Sequence, residues 1–190
     1  NLYAHPTLGA VIAQINADGL WRTTIQEDAS LDLEGAEQRI HDYLHALLGV
    51  DAEYQIDAFQ PYKMHQRLST KLREGRVLLA GDAAHLTNPT GGLALTRGLY
   101  QVYPPAQVLP AVIGGSADES ALDRYAASRS EKFREIASPS ASMLKRIVYG
   151  NLPLDELRET TQPLRETNST PEGQLKGQLG MDGLRSPALV

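Results

Sequence analysis

The chain has 190 residues, 42% of them apolar and 22% charged, the composition of a soluble globular domain long enough to bury a core. A net charge of -5 with no basic stripe argues against a nucleic-acid partner, and the absence of cysteine excludes disulfides, thiolate catalysis and cysteine-ligated zinc. No apolar segment reaches the length of a membrane span and no signal-peptide pattern opens the chain, so a cytoplasmic location is expected.

The first element is a β-hairpin. Leu8–Ile15 is rich in apolar and β-branched residues, Asn16-Ala17-Asp18-Gly19 is turn chemistry, and Leu20–Ile25 resumes the strand pattern. Trp21, the single tryptophan, reads as a half-buried sheet residue. A start this abrupt leads us to expect further sequence upstream. Residues 33–48 repeat Leu33, Ala36, Ile40, Leu44, Leu47 and Leu48 at helical spacing, with Asp32 as N-cap and Gly49 closing the end. His41 and His45 lie one turn apart, a metal-compatible spacing, but no third ligand completes a motif and a solvated helix face is expected. Tyr54–Arg67 reads as extended, with Pro61 at an edge or bend. His65 either faces a cavity or pairs with a neighbour.

The stretch Arg76–Gly98, RVLLAGDAAHLTNPTGGLALTRG, organises the rest. Val77–Ala80 is apolar on both faces and predicts a buried strand with parallel neighbours. Gly81 permits a turn that leaves Asp82 at the strand's end, and Pro89 and Gly91-Gly92 precede a helix start. Ligands of open α/β sheets bind at such strand ends, and helix N-termini favour negative charge. A helix over Leu95–Tyr103 should break at Pro104-Pro105 and restart with Val108, Leu109 and Val112, ending at Gly114-Gly115. Ser116–Glu119 has capping-box spacing, followed by Leu122, Tyr125, Ala126, Phe133 and Ile136 on one helical face. Ser138-Pro139 should interrupt before Ala141–Tyr149, which carries Leu144, Ile147 and Val148. From Asn151 the composition shifts to Pro, Thr, Glu, Arg and Gly. Its apolar islands Leu152-Pro153-Leu154 and Leu184 either dock or belong to a disordered tail.

The ordered string from Val77 to Gly98, with GDAAH at its centre, resembles the second flavin-binding motif of the FAD-dependent aromatic monooxygenases of the p-hydroxybenzoate hydroxylase type. The likeness extends more loosely from about Leu8 to Tyr149. It implies an α/β fold with α+β elements, the C-terminal portion of a Rossmann-like FAD/NAD(P)-binding hydroxylase. Residues 1–67 would be the end of the substrate-domain sheet with a connecting helix and extended segment, 68–150 the C-terminal part of the FAD-binding domain, and 151–190 a tail. The implied chemistry is reduction of FAD by NAD(P)H, capture of dioxygen as a flavin C4a-hydroperoxide, and hydroxylation of a phenolic or polyketide-like aromatic.

By the same resemblance, Gly81 lets the backbone approach the ribityl chain and Asp82 accepts a hydrogen bond from one of its hydroxyls. Pro89 shapes the loop beside the isoalloxazine, and Gly91, Gly92 and Leu93 present N–H groups to its pyrimidine edge. His85 belongs to the motif and either touches flavin or buttresses the turn. No catalytic side chain is assigned and no metal is expected. Three positions depart from the family: Ala94 for glycine, Thr96 for asparagine and Gln101 for aspartate. No G-x-G-x-x-G is present. The expected partners are therefore the missing N-terminal half, a small aromatic substrate, dioxygen and a second copy of the chain, with no nucleic acid or membrane. The alternatives are a flavin-dependent reductase or halogenase of the same fold, or a non-catalytic module.

Overall fold

The computed structural model describes residues 1–179 and 183–185, with the backbone alone for 93–97, 101, 178 and 179. It divides into two compact units, Asn1–Lys63 with Arg146–Thr161, and Met64–Lys145 with Gln162–Val190.

In the first unit the predicted hairpin forms. Strand β1 (Leu2–Tyr3), β2 (Ala10–Gln14) and β3 (Trp21–Ile25) make an antiparallel sheet in that order, with register Ala10↔Ile25 to Gln14↔Trp21. The turn is closed by Asn16 Oδ1, which accepts from the N–H groups of Asp18 at 3.1 Å and Leu20 at 3.0 Å. Trp21 keeps half its surface exposed. Helix α1 (Ala36–Leu48) starts later than its periodicity predicts. Asp32 is not the N-cap: its carbonyl accepts from Arg39 Nη2 at 2.8 Å, and left-handed Gly35 leads into the helix. At the other end Gly49, at φ 100°, donates its N–H to His45 O at 2.9 Å. His41 and His45 flank the ring of Tyr54, whose hydroxyl lies 3.0 Å from His41 Nδ1.

The remaining segment of this unit arrives through helix α4 (Ser138–Tyr149), whose last residues pack on the sheet, and continues into helix α5 (Leu154–Asn168). Tyr149 donates to Thr24 O at 2.9 Å and Tyr43 to Gly9 O at 3.0 Å. A Cβ on Gly9 would lie 1.5 Å from Val148 O, so only glycine fits there. Asn151, at φ 49°, turns the chain between α4 and α5, and Leu152 and Leu157 bury their side chains.

The second unit holds β4 (Arg67–Leu68) paired antiparallel with β7 (His85–Leu86), and β5 (Arg73–Glu74) paired antiparallel with β6 (Val77–Leu78). The four-residue buried strand predicted at Val77–Ala80 is corrected here. It is two residues long, its partner is antiparallel, and Val77 is 65% exposed. Burial on both faces needs strands and layers on either side, and among the described residues β6 pairs with β5 alone. His65 is exposed, its Nδ1 3.5 Å from Arg67 Nη2.

Helix α2 (Leu93–Ile113) also differs from expectation, because it runs unbroken through Pro104, Pro105 and Pro110. Proline's fixed φ suits a helix, and what it removes is the N–H that would serve the carbonyl four residues earlier. Tyr100 O, so deprived by Pro104, lies 3.5 Å from Arg129 Nη1. Helix α3 (Ser120–Lys132) begins without the Ser116–Glu119 box. The Glu119 carboxylate is engaged by Arg73 and Arg76, and Asp118 Oδ1 instead accepts from Ser120 N at 2.8 Å. A π-helical turn over Phe133–Ala137 joins α3 directly to α4, so Ser138-Pro139 opens that helix rather than interrupting it. Helix α6 (Pro171–Leu179) follows α5, so the tail from Leu154 to Leu179 is largely helical, and Leu152 of its first apolar island is docked.

Two apolar cores hold the second unit. Val108, Ala121, Leu122 and Tyr125 gather Leu78, Leu109, Val112 and Ala117 around them. Phe133, Ala137 and Leu184 gather Leu68, Tyr100 and Ile136. Leu184, one of the tail's apolar islands, is thus docked.

Candidate functional site

The site grows out of the end of β6. Ala80 is extended, Gly81 turns at φ 60°, and Gly81–Ala83 form a 3-10 turn closed by Ala84 N–H to Gly81 O at 3.0 Å. Just before the turn, Tyr125 of α3 donates to Leu79 O at 2.8 Å and fixes where the strand ends. Asp82 stands exposed on the turn, and among the described residues no hydrogen bond or ion pair engages its carboxylate. The chain then re-enters the interior at β7, where His85 is 3% exposed and its ring stacks on Phe133 at a centroid distance of 5.0 Å.

Beyond β7, Thr87, Asn88 and Thr90 are buried. Pro89–Gly91 form a second 3-10 turn, capped by Asn88, whose Oδ1 accepts from Thr90 N at 3.3 Å. Asparagine before proline at a helix start is a strong capping signal in sequence. Asn88 is not among the site residues expected from the sequence. Gly92 N–H bonds to Pro89 O at 3.0 Å, and Gly92 sits in the left-handed region at φ 65° immediately before α2. Among the described residues no side chain caps α2, which leaves its first N–H groups to an acceptor from outside.

The structure therefore brings Gly81 and Asp82 on one turn and Pro89, Gly91 and Gly92 on the next into a single unit, with His85 between them and pointing inward. The side chain of Leu93, and those of Ala94, Thr96 and Gln101, lie outside the described residues. An open cleft elsewhere in this unit is lined by Lys71, Arg73, Asp123, Ser130, Glu131 and Arg134, and none of the sequence-predicted site residues borders it.

Do these residues fit a flavin? Gly81 and Gly92 both need positive φ, and among the described residues a Cβ built on either would find nothing within 4 Å. The space over both turns is therefore open to a ligand's close approach. The Thr90 hydroxyl is buried without a hydrogen-bond partner among the described residues, an arrangement that costs free energy unless something else serves it. With the unengaged Asp82 acceptor and the uncapped helix start, the set suits a polyhydroxylated ligand that carries negative charge. The fit is good.

Residues 9–139 match the FAD binding domain family. The chain is 46% identical over 145 residues to 6-hydroxy-3-succinoylpyridine 3-monooxygenase of Pseudomonas putida, covering 76% of this chain and 37% of that protein. It is 40% identical over 145 residues to para-nitrophenol 4-monooxygenase of a Pseudomonas species, covering 75% and 36%. The crystal structure of p-nitrophenol 4-monooxygenase from Pseudomonas putida superimposes with a TM-score of 0.85 at 31% identity, covering 98% of this chain and 48% of that one. The chain thus spans little more than a third of the length of these curated relatives.

Proposed function

This chain belongs to the FAD binding domain family, and from that premise we propose that it is the C-terminal part of a FAD-dependent, NAD(P)H-using monooxygenase that hydroxylates a phenolic or polyketide-like aromatic. The observation that carries the proposal is the Gly81–Asp82 turn, which holds an exposed and unengaged carboxylate one short strand away from the glycine turn that opens α2. FAD, reduced by NAD(P)H, would supply the activation of dioxygen, one oxygen atom entering the aromatic ring and the other leaving as water.

The residues of this chain bind and orient. Asp82 accepts a hydrogen bond from a hydroxyl of the ribityl chain, a charge-assisted contact. Gly81 lets the backbone come close to that chain. Pro89 fixes the second turn, which the Gly92 N–H closes on Pro89 O, and the N–H groups of Gly91 and Leu93, at the positive end of the α2 dipole, favour negative charge on the ring they face. His85, stacked on Phe133, supports both turns from behind.

The rest of the enzyme, including a glycine-rich unit for the ADP moiety, is the partner this reading requires. Its support is the outer face of α2, where Leu99, Val102, Tyr103 and Ile113 are all exposed while Val108 on the opposite face is buried. A helix apolar all round belongs in the interior of a larger protein. Among the described residues no helix is long and apolar enough to cross a membrane. The nucleotide electron donor is intracellular, which is why we propose a cytoplasmic location.

The test is a titration of the full-length enzyme with FAD, followed by NAD(P)H oxidation with para-nitrophenol or 6-hydroxypyridine substrates. Retained flavin absorbance and substrate-stimulated oxidation with ring hydroxylation are expected. A full-length protein that binds no FAD would overturn the proposal.

A further inference from the structure

Asn88 is 4% exposed, and both ends of its amide are used. Oδ1 accepts from Thr90 N–H at 3.3 Å, and Nδ2 donates to Gln66 Oε1 at 2.8 Å. Gln66 faces α4 with its own nitrogen, which lies 2.6 Å from Ser138 Oγ, 3.2 Å from Ser138 O and 3.0 Å from Ser142 Oγ. A serine hydroxyl can donate or accept, but the Ser138 backbone carbonyl only accepts. That carbonyl therefore fixes the direction of the chain of bonds. Gln66 must turn Nε2 toward Ser138, which turns Oε1 toward Asn88, which turns Nδ2 toward Gln66 and leaves Oδ1 for Thr90 N–H. A plain N-cap needs the last of these bonds and none of the others.

We propose that Asn88 is a positioning residue, its amide oriented by Gln66 and Ser138, that holds the Pro89–Gly92 turn so that the first N–H groups of α2 face the flavin. The proposal rests on the reading of this turn as the flavin site, and it goes beyond that reading by giving a role to Asn88 and Gln66, to neither of which the resemblance assigns one. A bonded amide network anchored on a buried side chain favours one arrangement, because turning either amide around sets acceptor against acceptor. The turn is thereby tied to α4, 50 residues further along the chain from Asn88 to Ser138.

The decisive variant is Asn88→Asp. Aspartate is as good an N-cap as asparagine, so a simple capping role predicts no loss. In the proposed relay its second carboxylate oxygen would face Gln66 Oε1, acceptor against acceptor, and turning the Gln66 amide around would set Oε1 against Ser138 O. Asn88→Asp and Asn88→Ala should therefore each weaken FAD binding to the full-length enzyme about tenfold. Ser142→Ala, which removes one exposed acceptor of several, should leave binding unchanged. Amide hydrogen exchange measured without FAD should quicken at Thr90 and Gly92 in both Asn88 variants, with the thermal midpoint little changed. Wild-type affinity and exchange in Asn88→Asp would overturn the relay and leave Asn88 an ordinary cap. A midpoint drop large enough to account for the lost binding would also overturn it, because the role would then be structural alone. If the unmutated enzyme takes up no FAD, the reading of the site fails, and exchange at Thr90 and Gly92 still decides the relay.

Discussion

Arg129 donates to the carbonyl oxygen of Tyr100, the one that Pro104 deprives of its helical N–H, and the same nitrogen donates to Leu184 O at 2.9 Å. At 3.5 Å the Tyr100 bond is the weaker of the two, and the Leu184 bond ties the tail's apolar anchor to α3. Burial pulls the guanidinium's pKa below its usual value, yet arginine remains charged in proteins. Arg129→Met should destabilise the protein by about 1–3 kcal/mol, the cost of two buried carbonyls losing a charged donor. Restoring the missing N–H with Pro104→Ala should reduce the loss caused by Arg129→Met. Urea unfolding of the double-mutant cycle checks this, and strict additivity would mean that Arg129 and Pro104 do not share the Tyr100 carbonyl.

Tyr149 predicts the alkaline behaviour of the first unit. Burial, and then the neighbouring Tyr62 and Tyr43 hydroxyls, push its pKa up to about 12. The unfolded value is about 10. A folded pKa above the unfolded one means the neutral phenol is favoured by folding. Its contribution is complete below pH 10 and is lost as the pH rises toward 12. The loss should be on the order of 2 kcal/mol, read from unfolding curves followed by the fluorescence of Trp21, which shares this unit. Tyr149→Phe should flatten the profile over that interval, and an unchanged slope would show that other groups set it.

Much of this fold was legible because local chemistry decided it. The hairpin followed from alternating residues around Asn16-Ala17-Asp18-Gly19, and Gly49 ended α1 as glycine does. Three elements were read differently because distant residues settle them. The proline pair does not break α2, since Arg129 stands beside the deprived carbonyl. Glu119 does not complete a capping box, since Arg73 and Arg76 engage it across the hairpin of β5 and β6. Val77 is exposed because strand burial depends on neighbours on both sides, which no apolar run can reveal. In the site the glycines and Asp82 announce themselves through backbone need and position. Gln66 carries no such mark, because its partners Ser138 and Ser142 lie more than 70 residues away in sequence.

The exposed apolar stripe of α2 carries a prediction about solubility. Large contiguous apolar patches mark interaction surfaces or sites of association. This chain, expressed alone, should self-associate in sedimentation velocity. Leu99→Glu with Val102→Glu should shift it toward monomer, while leaving the buried side of α2, with Val108, untouched. A chain that is monomeric without those changes would remove the support that this face gives to a covering partner.

Asp82 tests the site most directly. Asp82→Ala removes a charge-assisted acceptor, a contribution of about 1.5–3 kcal/mol, and FAD should bind roughly tenfold to a hundredfold more weakly to the full-length enzyme. Because Asp82 is exposed and unengaged, the same substitution should leave the thermal midpoint within about 1 °C. Unchanged affinity would make Asp82 a turn residue and nothing more.

Gly92 separates what the backbone requires from what a ligand requires. Its φ of 65° is strained for any residue with a Cβ, but among the described residues a Cβ there would meet no atom within 4 Å. The cost of Gly92→Ala to folding is therefore conformational alone, about 1–2 kcal/mol. Asparagine, which tolerates the left-handed region, should cost less, and valine more. Ligand binding should not follow that order. If flavin approaches the turn closely, asparagine, which brings the larger side chain, should harm FAD affinity more than alanine while harming stability less. Urea unfolding and FAD titration on the same three variants compare the two rankings. Identical rankings would mean that Gly92 serves only the turn, and that nothing needs the open space above it.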